Sequence, residues 1–155
     1  MADARPSLTP VVCYQDPKAA LAWLEKAFGF EVHMLIEDPS GQPLHAEMRF
    51  GDCLLMVGAE WTADHRSPIA LGGKNTAAVH IQLDADVDAH CERARAAGAE
   101  IVQELATQPY GDRTYACRDP EGHVWSVGQT VKPMSRQDHE SSGVRVVHWP
   151  SAPHS

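Results

Sequence analysis

An internal repeat constrains this chain more than any other feature of its sequence. Residues 26–32 (KAFGFEV) align with residues 95–101 (RAAGAEI), and in both a glycine separates a helical pattern from an extended one. The two glycines, Gly29 and Gly98, are 69 residues apart (98 − 29). A repeat at this spacing indicates one supersecondary unit present twice, so the fold must be assembled from two copies.

Each copy contains one helical pattern. Residues 17–29 predict a helix because Asp16 is a suitable N-cap and Gly29 a suitable end. Residues 86–98 show a similar pattern, and Gly98 is the predicted end there. Both copies are therefore built around one short amphipathic helix.

One extended segment precedes each helix and three follow it. The first copy has extended segments at 8–14, 31–37, 43–50 and 53–58, and the second at 77–83, 100–105, 112–118 and 123–129. The pair Gly51-Asp52 predicts a tight hairpin, and the DPEG sequence at 119–122 predicts a longer turn. The order of elements in each copy is therefore βαβββ.

These elements predict an α+β fold of two tandem βαβββ units, at 7–58 and 77–130. The segment 59–76 between them is polar and contains Pro68 and the pair Gly72-Gly73, as expected of a linker. The tail at 131–155 lacks a sustained period, so we expect it to be loosely ordered or to lie on a partner subunit, although 144–149 could add one short strand.

A single helix can cover only one face of a four-stranded sheet. The other face must meet a second surface, and two curved mixed sheets arranged in this way enclose a cavity. Binding sites in proteins are usually concave and mostly apolar, so we expect the site in that cavity.

Composition excludes several classes of function. The net charge is −8 and the sequence pI is about 5.5, which argues against nucleic acid or an anionic membrane as the main partner. No apolar run approaches the ~20 residues of a membrane span, and the N-terminus has no apolar signal region. The cysteines have no CxxC spacing, so we expect reduced thiols in a cytoplasmic protein: Cys13, Cys53, Cys91 and Cys117.

Four stretches of the sequence carry a family resemblance. They are LHAEMRFGDCLLMVG, RSPIALGG, DVDAHCERARAAGAE and YGDRTYACRDPEGHVWSV. With the paired βαβββ pattern they resemble the vicinal oxygen chelate superfamily, in the branch labelled glyoxalase/bleomycin resistance protein/dioxygenase, over about residues 7–130. The superfamily includes glyoxalase I, bleomycin-resistance proteins, fosfomycin-resistance enzymes and extradiol dioxygenases. The resemblance implies a homodimer, because such units usually complete their cavities by pairing chains.

The metal site of the superfamily can be compared position by position. Metal-dependent members present His or Glu from the first and last strand of each unit, and the ion holds two substrate oxygens. Carried over to this sequence, those positions are Thr9, Met56, Ala78 and Ser126. None is a strong ligand for a hard cation, so we expect no metal there and no conventional glyoxalase I activity. A divalent metal at displaced ligands stays open.

Strand alternation predicts which side chains line the cavity. The hairpin at Gly51-Asp52 pairs Glu47 with Met56 and places His45 on the same face. On the second unit, Ala78 shares its face with His80. Two loop aromatics near the expected mouth and six strand positions complete the candidate binding set: Thr9, Met56, Trp61, Gln82, Tyr110, Thr114, Arg118 and Ser126. Across the longer turn Ser126 should sit opposite Ala116, and this register predicts core positions for Tyr115, Cys117 and Trp125.

Each candidate also has an ordinary structural interpretation. His45 and Glu47 could form a solvated stripe on an edge strand. His80 could be a hydrogen-bonded, semi-buried histidine. Trp61 and Tyr110 could close the edges of the core. Two arginines could pair with the aspartates beside them in sequence: Arg113 with Asp112, and Arg118 with Asp119.

Two functions remain open on the sequence. The first is a metal-independent protein that binds a small planar or aromatic molecule, as bleomycin-resistance proteins do. The second is an enzyme of the lyase, isomerase or dioxygenase type, acting on a small carbonyl or vicinal-oxygen substrate. In it His45, Glu47 and His80 would be catalytic, with Glu47 as base and a histidine as proton relay. Either function predicts a small-molecule partner and no nucleic acid or membrane.

Overall fold

The computed structural model describes residues 5–151 and contains the two predicted units. The first consists of β1 (Val11–Tyr14), α1 (Pro17–Phe28), β2 (Glu31–Glu37), β3 (Pro43–Phe50) and β4 (Cys53–Ala59). The second consists of β5 (Val79–Leu83), α2 (Val87–Ala96), β6 (Glu100–Thr107), β7 (Asp112–Arg118) and β8 (Val124–Thr130). Among the helices of residues 5–151, none combines the length and hydrophobicity that a bilayer crossing requires.

Each unit forms its own four-stranded mixed sheet. The strand orders are β1-β4-β3-β2 and β5-β8-β7-β6, so the two units share one topology. In each sheet the first strand lies parallel to the last, while the other pairs are antiparallel. The predicted register is confirmed at both hairpins, since Glu47 pairs with Met56 and Ala116 pairs with Ser126. The α+β fold of tandem βαβββ units is therefore confirmed.

Local sequence explains the bounds of α1. The Asp16 side chain accepts a hydrogen bond from the Ala19 amide at 3.0 Å, which satisfies a backbone donor in the first turn. At the other end Gly29 adopts φ +76°, and its N–H donates to the Glu25 carbonyl. A left-handed residue ends a helix at little cost only when it lacks a Cβ.

The helices of the two units meet, and one hydrophobic core joins both units. The Phe28 ring of α1 lies 5.2 Å from Trp125 of β8 and is stacked on His90 of α2 at 5.6 Å, centroid to centroid. Tyr115 and Cys117 of β7 are also fully buried in this core, as predicted. The opposite faces of the two sheets therefore remain outside the core.

We call the two sheet faces that point away from the helices the open faces. Strand alternation and register place Val11, His45, Glu47, Arg49, Leu54, Met56 and Gly58 on the first open face. They place His80, Gln82, Thr114, Ala116, Ser126 and Gly128 on the second.

A buried carboxylate links the two units. Asp119, which is 5% exposed, accepts hydrogen bonds from the Tyr14 hydroxyl at 2.7 Å and from the Trp125 indole at 3.0 Å. Its second oxygen accepts from the amides of Glu121 and His123. Through Asp119, the DPEG turn therefore connects β1 of the first unit to β8 of the second by hydrogen bonds.

The predicted pairs of Arg113 and Arg118 with their neighbouring aspartates are wrong. Arg113 forms a two-pronged ion pair with Asp88 on α2, with N–O distances of 2.8 and 2.9 Å. Arg118 donates to the Gly73 carbonyl at 2.9 Å. Neighbouring residues on a strand point to opposite faces, so an arginine reaches a partner on another element more readily than the residue beside it.

The segment after β8 contains a third helix, α3 (Arg136–Ser141), which the sequence interpretation did not anticipate. Ser135 and Asp138 form a reciprocal capping box at its start. The short strand suggested at 144–149 is not formed, and these residues have no regular secondary structure. Residues 152–155 of the predicted tail lie outside the described residues.

Candidate functional site

A pocket of about 320 Å³ lies on the first open face, and we call it the open-face pocket. Its walls include Val11, Leu44, His45, Met56, Gly58 and Trp61. The six-membered ring of Trp61 lies against Gly58, since a Cβ at Gly58 would sit 3.2 Å from its Cζ3 atom. A glycine inside a strand often marks such a close approach. The linker therefore contributes an aromatic wall to a pocket whose floor is strand β4.

Trp61 is held in position by a second ring. It is 58% exposed and stacks on His65, with ring centroids 3.8 Å apart and planes 19° from parallel. The Nε2 atom of His65 is buried and has no hydrogen-bond partner among residues 5–151. One face of the indole is thus occupied by an imidazole of the same linker.

Glu47 is a fully buried carboxylate beside this pocket. Its Oε1 accepts from His45 Nε2 at 2.9 Å and from the Arg5 guanidinium. The hydrogen bond from His45, more than that from Arg5, lowers the pKa of Glu47 below its ordinary value, although burial opposes the shift. The Oε2 atom is buried and unpartnered among residues 5–151. The interpretation of His45 and Glu47 as a solvated edge stripe is wrong, because β3 lies between β2 and β4.

A polar row occupies the second open face. His80 Nδ1 lies 2.8 Å from the Ser126 hydroxyl, and His80 Nε2 lies 2.9 Å from the Gln82 side-chain oxygen. The Gln82 amide nitrogen in turn donates to the Thr130 hydroxyl at 3.1 Å. An amide oxygen can only accept, so this chain places the proton of neutral His80 on Nε2 and leaves Nδ1 to accept from Ser126. His80 is hydrogen-bonded as one interpretation predicted, but it is exposed rather than semi-buried.

The three predicted catalytic side chains do not form one contact cluster. His45 and Glu47 are hydrogen-bonded to each other on the first sheet, and His80 lies on the second sheet. Within residues 5–151 of one chain, no hydrogen bond or ion pair connects His80 to either of them.

The other predicted binding residues divide between the two faces and the periphery. Met56 and Trp61 meet in the open-face pocket. Gln82, Thr114 and Ser126 share the second open face, where Thr114 is buried with its hydroxyl unpartnered within the described chain. Of the remaining three, Thr9 precedes β1, Tyr110 is a half-exposed residue of the β6–β7 loop, and Arg118 at the end of β7 donates to a linker carbonyl.

Sequence reasoning missed Arg5, Gly58 and His65. Gly58 carried a usable signal, because it interrupts an apolar strand pattern. Arg5 precedes the first predicted unit and His65 lies in the linker, so alternation along a strand could not place either side chain.

The side chains at the family's metal positions do not fit a divalent cation. Met56 offers a thioether and Ala78 a methyl group, neither of which ligates a hard cation. The Ser126 hydroxyl is already hydrogen-bonded to His80. In the described part of the chain, no three His, Cys, Asp or Glu side chains are grouped to hold a metal ion.

Two further pockets are lined mostly by residues outside the open faces. A junction pocket of about 320 Å³ lies between the units, and it is lined by Val11, His65 and Trp125 among others. A helix-side pocket of about 370 Å³ is lined by Trp23, Tyr14 and Pro120 among others. Each of these pockets and the open-face pocket thus has its own tryptophan.

Comparisons with known proteins agree with this architecture. The sequence model of the Glyoxalase/Bleomycin resistance protein/Dioxygenase superfamily matches residues 8–127. The uncharacterized protein Rv0887c of Mycobacterium tuberculosis H37Rv is 30% identical over 144 residues, which cover 90% of this chain and 84% of that protein. The crystal structure of TioX from Micromonospora sp. ML1 superimposes with a TM-score of 0.65 at 32% identity, covering 81% of this chain and 98% of TioX.

A more distant structure supports the fold alone. A member of the superfamily from Sphaerobacter thermophilus superimposes with a TM-score of 0.64 at 18% identity, covering 81% of this chain and 98% of that one. The family match extends across both βαβββ units, from just before β1 to within β8. The chain belongs to the Glyoxalase/Bleomycin resistance protein/Dioxygenase superfamily.

Proposed function

We propose that this protein binds a small planar or aromatic molecule in the open-face pocket, without the metal that other superfamily members use. The observation that carries this proposal is the exposed indole of Trp61, fixed over Gly58 by its stack on His65. A ring held in this way offers a flat, apolar surface that loses little conformational freedom when a ligand binds. Aromatic pairs gain about 0.5–1.5 kcal/mol beyond the area that they bury.

The size and lining of the pocket support the same function. Its volume of about 320 Å³ is near the lower end of the ~300–1,000 Å³ range of small-molecule pockets. Met56 and Val11 supply apolar contacts, and His45 supplies a polar group at the edge. This combination favours a ligand of one or two fused rings with a polar substituent.

We further propose that the protein is a homodimer. Four apolar side chains of β2 are exposed although β2 is the edge strand of its sheet: Val32, Met34, Leu35 and Ile36, with exposed fractions from 37% to 48%. Exposed apolar edge strands tend to associate, and a closed two-fold dimer covers them. Light scattering at micromolar concentration should give twice the chain mass of 16.9 kDa, and a monomer would contradict this proposal.

A fragment titration tests the binding function. Indole, quinoline and benzamide should broaden or shift in ligand-observed NMR with the wild-type protein and lose most of that effect with Trp61→Ala. Trp149→Ala is the matched control, because Trp149 contacts His139 in the C-terminal segment rather than the pocket. Equal binding to wild type and Trp61→Ala would refute the assignment of the pocket.

The enzyme alternative requires three side chains at one substrate. It needs His80 to join His45 and Glu47 around one substrate, which contacts within the described chain do not provide. Elemental analysis of untagged protein bears on this alternative, since a stoichiometric metal would favour an enzyme with displaced ligands and contradict metal-independent binding.

A further inference from the structure

The carboxylate of Glu47 is incompletely satisfied. The side chain has no exposed surface, yet both of its hydrogen bonds within residues 5–151, from Arg5 and His45, go to Oε1. Oε2 is buried and has no partner among residues 5–151. A buried carboxylate oxygen without a donor is unfavourable, so Oε2 is available to a donor from outside the chain.

Arg5 covers this carboxylate from outside the sheet. Its side chain is 59% exposed and belongs to the segment before β1, 42 residues from Glu47 in sequence. Arg5 and Pro6 also line a pocket of about 200 Å³ with Leu54 on the first open face. The open-face pocket includes Met56, the strand partner of Glu47. Arg5 and Glu47 therefore lie between two pockets of one face.

We propose that Glu47 is the cation subsite of the open-face pocket, and that Arg5 is an internal cation which a positively charged aromatic ligand displaces. This inference rests on the proposed binding function and narrows its ligand class to planar rings bearing an amidinium, guanidinium or ammonium group. On displacement of Arg5 the ligand donates to Glu47, including Oε2, while its ring contacts Trp61. The two pockets then become one groove with the carboxylate at its floor.

The geometry of Arg5 favours displacement over a permanent lock. A guanidinium and a carboxylate can form two parallel hydrogen bonds, but Arg5 bonds only one oxygen of Glu47. An ion pair with a largely exposed partner is also weakened by solvent and side-chain entropy. A ligand cation held by Trp61 and the pocket walls pays less entropy for the same charge, because its ring already fixes its position.

Benzamidine and benzamide provide a matched pair of probes. They share a planar ring and differ in charge, so their affinity ratio isolates the cation subsite. In wild-type protein benzamidine should bind more tightly, and Glu47→Gln should weaken it about tenfold, as expected for loss of a charge-assisted hydrogen bond. Benzamide should bind Glu47→Gln and wild type alike. Circular dichroism verifies that the variant is folded.

Arg5→Ala provides a gain of binding that misfolding cannot imitate. Removing the internal competitor should tighten benzamidine about threefold or more, the size expected for a surface ion pair, and leave benzamide unchanged. The control is Arg136→Ala, because Arg136 pairs with Glu140 on α3. Equal affinities for the two probes, unaltered by Arg5→Ala, would overturn the cation subsite and leave the proposed function standing. Failure of both probes to bind would overturn both.

Discussion

The hydrogen bond between Tyr14 and Asp119 should couple the stability of the two βαβββ units. Tyr14 is 2% exposed, and its hydroxyl donates to Asp119 at 2.7 Å across 105 residues of sequence. Tyr14→Phe removes the donor but leaves the carboxylate with Trp125 and two backbone amides. We expect it to lower the free energy of unfolding by about 1.5–3 kcal/mol, the range for a hydrogen bond to a charged group.

Asp119→Ala should cost considerably more. It leaves the Tyr14 hydroxyl and the Trp125 indole N–H buried without an acceptor, and each orphaned group costs about 1–3 kcal/mol. The two backbone amides lie in a turn that is only partly buried, so water can replace the carboxylate there. The total should be about 3–5 kcal/mol, a large part of the ~5–15 kcal/mol that stabilises a typical domain.

A double-mutant cycle measures the coupling directly. Urea unfolding followed by far-UV circular dichroism should show that Tyr14→Phe costs less in the Asp119→Ala background, because the phenol no longer needs an acceptor. The coupling free energy should be about 1.5–3 kcal/mol. Tyr110→Phe, at a half-exposed loop position, is the control and should change little. Strict additivity of the two substitutions would refute an energetic coupling of the two units through the Tyr14–Asp119 hydrogen bond.

Three further predictions follow from burial and charge. Phe28→Ala should lower the free energy of unfolding by about 3–5 kcal/mol, because a 1%-exposed ring at the junction of both helices leaves a cavity. Of the four cysteines only Cys53 is exposed, and burial raises the pKa of Cys13 to about 11 and that of Cys117 to about 12. A thiol reagent should therefore modify one cysteine of the native wild-type protein and none of the native Cys53→Ser variant. The pKa of Glu47 is lower in the folded than in the unfolded state, so the unfolded state takes up the proton first as the pH falls. Below the ordinary carboxyl value of 4.5, wild type should therefore lose stability more steeply than Glu47→Gln. Urea unfolding at several pH values measures this difference.

Much of the fold could be predicted because local signals fix it. Gly51-Asp52 allows only one tight register, so Phe50 pairs with Cys53 and every side chain of β3 and β4 is assigned to a face. Asp16 and Gly29 define the ends of α1 by capping geometry. Such signals involve only a few neighbouring residues, so they can be identified from the sequence.

The site could be predicted only in part, because its contacts are long-range. The hydrogen bond between His45 and Glu47 follows from strand alternation, since the two residues are neighbours on one face. The approach of Arg5 to Glu47 and the stack of Trp61 on His65 involve segments without a repeating pattern. Their positions depend on how loops lie across the finished sheet, which periodicity does not encode.

The tryptophan side chains allow one direct test of the binding site. In a ¹H–¹⁵N correlation spectrum the indole N–H of Trp61 reports on the open-face pocket, that of Trp125 on the junction pocket and that of Trp23 on the helix-side pocket. Titration with benzamide or benzamidine should shift the Trp61 resonance in proportion to occupancy and leave the other two nearly unchanged. Saturable shifts of Trp125 or Trp23 with a stationary Trp61 would place the ligand elsewhere and contradict the account.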